Sequence, residues 1–172
     1  ETDRDTGVRA VMFTDIVNST MTTSSLGDEG AMTMLRLHNR IVRKALSDNR
    51  GREVKHTGDG IMAAFLSAVS AVRCACQIQA DVAAANDEAA PPLTLRVGIS
   101  AGEPVEEGDD LFGSTVQLAA RLCSCAAPGQ VLVSNVVSDL CLGKGLSFAD
   151  AGSRELKGFE APVHTHAVQI NC

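Results

Sequence analysis

The sequence predicts an α/β (α+β) fold, a ferredoxin-like split βαβ sandwich in which helices pack on one face of a central, mostly antiparallel sheet. Three observations point there. Strand-period and helix-period segments open the chain in the order strand, helix, strand, strand, helix, strand. Two strands meet at Gly58-Asp59-Gly60, residue types that tight turns favour for steric and local hydrogen-bonding reasons. Leu93 to Ala101, Leu-Thr-Leu-Arg-Val-Gly-Ile-Ser-Ala, reads as a strong further strand.

The elements follow in order. Residues 1–7 are polar and read as a linker remnant, leaving 8–172 as one domain. Val8 to Ile16 is the first strand, and Ser19 and Thr20 beyond it suit the opening of a helix. Asp28 to about Asn49 is an amphipathic helix, with Gly51 as its stop signal. His38 falls in line with Ala31, Leu35, Val42 and Ala45 on its apolar face, which predicts core packing. After the hairpin come a small-residue helix from about Ser67 to Asn86 and a loop from Asn86 to Pro92. Beyond the strong strand, the acidic stretch Glu103 to Asp110 leads through Leu111-Phe112-Gly113 into a helix from Ser114 to Ala126. A strand, Val131 to Ser134, and a short helix, Val136 to Leu142, follow, and Ser147 to Ile170 reads as short strands around Leu156-Lys157-Gly158.

Composition narrows the functional classes. At 172 residues, 45% apolar and with a mean hydropathy of +0.08, the chain can bury a sizeable core and is globular. A net charge of −6 argues against a nucleic-acid or anionic-membrane surface as partner. No apolar run approaches the roughly 20 residues of a membrane span, and no signal peptide is visible. The expected location is cytoplasmic. The chain begins at Glu1, which suggests excision from a longer protein that carries a regulatory domain. Of the six cysteines, Cys74 and Cys76 share one helix and Cys123 and Cys125 another, without Cys-x-x-Cys spacing, while Cys141 and Cys172 are isolated. Reduced, mostly buried thiols are the expectation. His164 and His166 alternate along a strand and make no metal site alone.

Two aspartates carry the chemistry. Asp15 ends the apolar strand Val11-Met12-Phe13-Thr14, and Asp59 tips the hairpin turn; carboxylates at strand ends are what a two-metal phosphoryl-transfer site needs. Lys55 lies four residues before Asp59. On the helix from Ser114, Gln117 and Arg121 are four residues apart and project together, away from the apolar face of Leu118, Ala119, Leu122 and Ala126. Arginine brings a permanent charge and a forked donor set suited to phosphate oxygens. Lys157 is a second candidate phosphate contact.

Phe-Thr-Asp-Ile-Val-Asn-Ser-Thr, Val-Lys-His-Thr-Gly-Asp-Gly and Asp110-Leu-Phe-Gly-Ser-Thr-Val-Gln-Leu-Ala-Ala-Arg121, in this order and spacing, resemble the class III nucleotidyl cyclases. Glu-Leu-Lys-Gly-Phe-Glu-Ala-Pro-Val near the C-terminus looks like the end of bacterial adenylate cyclase catalytic domains, so the resemblance runs from about Val8 to Ile170. It implies a homodimer with active sites at the subunit interface, acting on ATP. It implies two divalent cations, Mg²⁺ or Mn²⁺, at Asp15, Ile16 and Asp59 of one subunit. Lys55 and Asp110 match the purine-reading positions and would come from the other. Gln117 and Arg121 match the pair that meets the transition state, Lys157 lies near a triphosphate-binding lysine, and Phe13, Thr14 and Ile16 fall with the phosphate-holding segment, where backbone amides after Asp15 would act as helix N-termini do.

The implied reaction is in-line attack of the ribose 3′-hydroxyl on the α-phosphorus, giving 3′,5′-cyclic AMP and pyrophosphate. Adenine offers a donor at its 6-amino group and an acceptor at N1, while guanine reverses the pattern; Asp110 accepts and Lys55 donates, which suits adenine. Guanylate-selective relatives typically carry Glu and a small residue at these positions. Two departures stand out: the family usually has asparagine at Gln117, and some relatives carry arginine at Glu103. The extra methylene of Gln117 shifts its amide by about 1 Å, enough to alter ribose orientation. Two alternatives stay open, a guanylate or relaxed-specificity cyclase and a non-catalytic module that dimerises or binds nucleotide. Loss of a metal aspartate or of Arg121 would favour the module, and all three are present.

Overall fold

The computed structural model describes residues 7–17, 19–87 and 92–170, and of 19–25 the backbone alone. The elements are β1 (Arg9–Ile16), α1 (Ser19–Asp48), β2 (Arg52–Thr57), β3 (Gly60–Phe65), α2 (Ala68–Asn86), β4 (Leu95–Gly102), β5 (Val105–Glu107), β6 (Asp110–Phe112), α3 (Ser114–Cys125), β7 (Val131–Ser134), α4 (Asn135–Leu140), β8 (Phe148–Arg154) and β9 (Val163–Val168). Seven strands form one sheet in the order β2-β3-β1-β4-β7-β9-β8, and β5 pairs with β6 in a separate hairpin. Only β4 and β7 run parallel; every other neighbouring pair is antiparallel. The mixed, mostly antiparallel sheet of the sequence reading is therefore present, and Ser67 caps α2 by accepting from the Ser70 amide.

Two features differ in detail. α1 starts before Asp28, but the chain is not helical at Gly27 (φ 75°, ψ −179°), so Asp28 opens the segment beyond a kink. The helices do not all share one face. Ala10, Met12, Ile61, Ala63, Val97, Ile99, Val131 and Val133 pack with residues of α1, α2 and α4. The alternate residues Val11, Met62 and Ala64 pack on the opposite face with Leu111 of the hairpin and Ala119 of α3, and Leu132 packs there with Leu122 and Ala126. The central strands are apolar at consecutive positions because both faces are covered.

α3 lies almost on the strand beneath it. A Cβ at Gly98 would fall 2.2 Å from the Cys123 amide nitrogen and 2.5 Å from the Ala119 carbonyl oxygen. The contact fixes α3 at backbone distance over β4 and so sets the height of every side chain that the helix carries.

Candidate active site

Strand alternation decides what β1 offers to each side. Thr14 points toward α1: its buried hydroxyl accepts from the Ile61 amide at 3.0 Å and donates to His38 Nε2 at 2.9 Å. His38 in turn donates from Nδ1 to Asn39 Oδ1 at 2.9 Å. His38 is core, as its helical register predicts, and it is also a hydrogen-bonded tie from α1 to β1 and β3. Burial holds its pKa below the ordinary value, outweighing the raising influence of Asn39, Asp15 and Asp59. Ile16 also buries its side chain in that core.

Phe13 and Asp15 turn to the other face, where they border a cleft of about 280 Å³ with Thr14, Thr57, Ala120, Cys123 and Ser124. Asp59 follows Gly58, whose φ of 65° suits glycine, in the turn between β2 and β3. Gly60 presses against β1: a Cβ there would lie 1.8 Å from the Thr14 carbonyl oxygen and 3.4 Å from Asp15 Cα. Bare backbone contact thus brings the Asp59 turn against the end of β1 that carries Asp15.

Asp15 has a partner that the sequence reading missed. Arg96, its cross-strand neighbour in the β1–β4 register, reaches Asp15 Oδ2 with Nη2 at 2.6 Å. Opposite charges at paired positions of adjacent strands are the signal, and the register that pairs them was not legible in the sequence.

Lys55 and Asp110, the two candidate purine-reading residues, lie in contact. Lys55 Nζ donates to Asp110 Oδ2 at 2.9 Å, and the Leu111 amide donates to Oδ1 at 2.7 Å. The bond from Lys55, then that from Leu111, lowers the Asp110 pKa, so the carboxylate is an ionised acceptor at neutral pH. The Phe112 ring lies beneath the Lys55 ammonium, 5.7 Å from centroid to Nζ. The acidic stretch is thus the β5–β6 hairpin, docked against β2 by this pair and by Arg52, which donates to the Asp109 carbonyl at 3.2 Å.

Gln117 and Arg121 are exposed on α3, the helix whose Ala120, Cys123 and Ser124 border the Asp15 cleft. Lys157 is exposed in the β8–β9 connection, beside Leu156, which buries against Leu122 of α3 and Ala126 just past its end. His164 and His166 stack, with centroids 4.7 Å apart, beside Asp150 and Asn135 and outside the cleft. Among the described residues no group of three or more His, Cys, Asp or Glu side chains could hold a metal ion. Burial pushes the Cys123 thiol up to about 12, so it offers the cleft no thiolate. A metal ion at this end of β1 would have the Asp15 and Asp59 carboxylates and main-chain oxygens to draw on. That fits Mg²⁺ or Mn²⁺, hard cations that keep waters and take substrate phosphates as their remaining ligands. No helix among the described residues is long and apolar enough to cross a membrane.

Known proteins place this geometry. The chain is 41% identical over 119 residues to a Rhizobium meliloti protein provisionally named adenylate cyclase 3, covering 67% of this chain and 20% of that one. It is 33% identical over 159 residues to an uncharacterised Mycobacterium tuberculosis protein, covering 92% of this chain and 40% of its relative. It therefore spans well under half the length of these relatives. Among solved structures, the adenylate/guanylate cyclase/hydrolase of Silicibacter pomeroyi superposes with a TM-score of 0.86 at 27% identity, over 96% of this chain and 98% of its own. The adenylyl cyclase CyaB of P. aeruginosa shares the fold, with a TM-score of 0.86 at 24% identity over 96% of this chain and 95% of its own. The model of the adenylate and guanylate cyclase catalytic domain matches residues 3–170, and with sheet, hairpin and paired strand-end aspartates in place, the chain belongs to that class III cyclase family.

Proposed function

We propose that residues 8–172 form the adenylate cyclase domain of a longer protein, converting ATP to 3′,5′-cyclic AMP and pyrophosphate at sites shared by two copies of the chain. The observation that carries the choice of base is the Lys55–Asp110 pair. The ammonium retains donors for adenine N1, and the carboxylate retains lone pairs for the 6-amino group; guanine would place an N–H against the ammonium and a carbonyl against the carboxylate. The shared site is supported by the exposure of Gln117 and Arg121 on α3, where a second copy of the chain can reach them. In this reading they complete the partner's cleft, with Lys55 and Asp110.

Asp15, Asp59 and the Ile16 carbonyl would hold two divalent cations, whose chemistry is to acidify the ribose 3′-hydroxyl and neutralise phosphate charge. The protein's own residues do the positioning. Phe13 and the main chain at Thr14 and Ile16 seat the phosphates, Lys157 meets the triphosphate tail, and Gln117 orients the ribose. Arg121 offsets charge developing on the α-phosphoryl oxygens, a contribution of about 2.7–4 kcal/mol for a preorganised donor.

The test is the purified domain at high concentration with Mn²⁺ and either ATP or GTP, and Asp59→Ala as blank. Cyclic AMP formed preferentially and lost in the variant supports the reading. Preferential cyclic GMP would replace it with a guanylate cyclase, and no product from a folded dimer would leave a nucleotide-binding module.

A further inference from the structure

We propose that His38 is a positioning residue for the metal site, which through the Thr14 hydroxyl fixes the spacing between the Asp15 and Asp59 carboxylates. This rests on the reading of those two aspartates as metal ligands. The β1–β3 pairing runs from Ala10 opposite Phe65 to Phe13 opposite Met62. The next amide, that of Ile61, is held by the Thr14 hydroxyl at 3.0 Å. Thr14 immediately precedes Asp15, and Ile61 lies two residues after Asp59. This side-chain bond therefore closes the ladder at the end where both carboxylates sit.

His38 decides how the hydroxyl points. A threonine hydroxyl rotates to suit its partners; here its proton goes to His38 Nε2 at 2.9 Å, which leaves a lone pair for the Ile61 amide. The ring is itself fixed, because Nδ1 donates to Asn39 Oδ1 at 2.9 Å. Packing does not require any of this. Thr14 and His38 are fully buried, and the face of α1 around His38 is otherwise apolar, with Met34, Ile41, Val42 and Ala45 in the same core. Replacing both partners of a buried hydrogen bond by apolar groups of the same shape is nearly neutral. An apolar pair would fill the space, but it could not hold the Ile61 amide in a set direction. What the relay adds is alignment: it anchors the strand that leaves the Asp59 turn to α1 as well as to β1.

Two cations separate alignment from folding. Mg²⁺ demands near-ideal octahedral geometry at short distances, and the larger Mn²⁺ tolerates a displaced ligand better. In His38→Leu, Mn²⁺ binding to the nucleotide-free domain, followed by water-proton relaxation, should weaken about tenfold or more. The kcat for ATP should fall about fivefold or more further with Mg²⁺ than with Mn²⁺. His38→Gln, whose side-chain oxygen can still accept from Thr14, should recover most of both losses. A structural role alone would lower both rates in the same proportion and leave the Mn²⁺ affinity of the folded fraction unchanged. That pattern in His38→Leu, or no recovery in His38→Gln, overturns the proposal. Should His38→Leu fail to fold, Thr14→Val decides, and a Mg²⁺-to-Mn²⁺ rate ratio equal to that of wild type overturns it there. Asp59→Asn separates the levels. If it leaves Mn²⁺ binding intact, the metal reading of Asp59 falls, and this inference with it; weakened binding in Asp59→Asn beside unchanged binding in His38→Leu overturns this inference alone.

Discussion

Lys55 on β2 and Asp110 at the start of β6 lie 55 residues apart in the chain and meet at 2.9 Å, with Phe112 beneath the ammonium. An ion pair this open to solvent holds a fold together weakly. Its geometry matters more for what each group has left to offer, since the lysine retains donors and the carboxylate retains lone pairs.

Asp110→Ala should therefore leave the urea midpoint unchanged and lower kcat/KM for ATP about tenfold or more, since a hydrogen bond to a charged group is lost from the base. Lys55→Glu should cost more, because two carboxylates would then face the purine edge. Steady-state kinetics with ATP and GTP check both; equal loss on the two nucleotides would argue against base reading.

Asp59→Ala and Arg121→Ala should each be nearly inactive, Arg121→Ala by about 100- to 1,000-fold. Mixed and allowed to exchange, they should regain activity, because one site of each mixed dimer takes both intact halves. Absence of recovery, with exchange confirmed by a labelled subunit, would count against a composite site.

Gly60→Ala places a methyl group into the Thr14 carbonyl, 1.8 Å from its oxygen. β1 and β3 must part, at a cost of about 1–3 kcal/mol or more, and the two aspartates lose their spacing. Urea unfolding should show the first effect and Mn²⁺ binding the second, whereas Gly58→Ala, with open space around it, should show only a modest backbone cost at its positive φ.

The buried His38 gives stability a pH dependence with a definite sign. Its pKa is lowered in the folded chain, so the unfolded chain binds the proton more readily. The contribution is fully present above the unfolded pKa near 6.5 and is lost as pH falls from there through the folded value. Urea midpoints between pH 7.5 and 5 should decline, and the decline should flatten in His38→Gln. An unchanged slope in that variant would assign the effect to other groups.

Much of the fold was legible because its signals are local. The Gly-Asp-Gly turn and the helix starting near Ser67 each depend on neighbours in sequence, and β7 was placed at Val131–Ser134 as found. What escaped depends on which strands lie side by side. The pairing of Asp15 with Arg96 needs the β1–β4 register, and the position of α3 on the second face needs the order of the sheet. His38 was read as core from its helical period, but its tie to Thr14 crosses 24 residues and leaves no periodic trace. Of the site, Lys55, Asp110, Asp15 and Asp59 were chosen by motif, and the structure seats the first two in contact and the latter two on adjoining strand ends.

The exposure of Gln117 and Arg121 on α3 bears on control. On the shared-site reading, turnover is a matter of encounter: dilution silences the domain without touching its chemistry. A tether or a coupled segment that raises the local concentration of two copies into the millimolar range restores it. Such an enzyme can be governed by how its halves are held, and its active-site residues need never move.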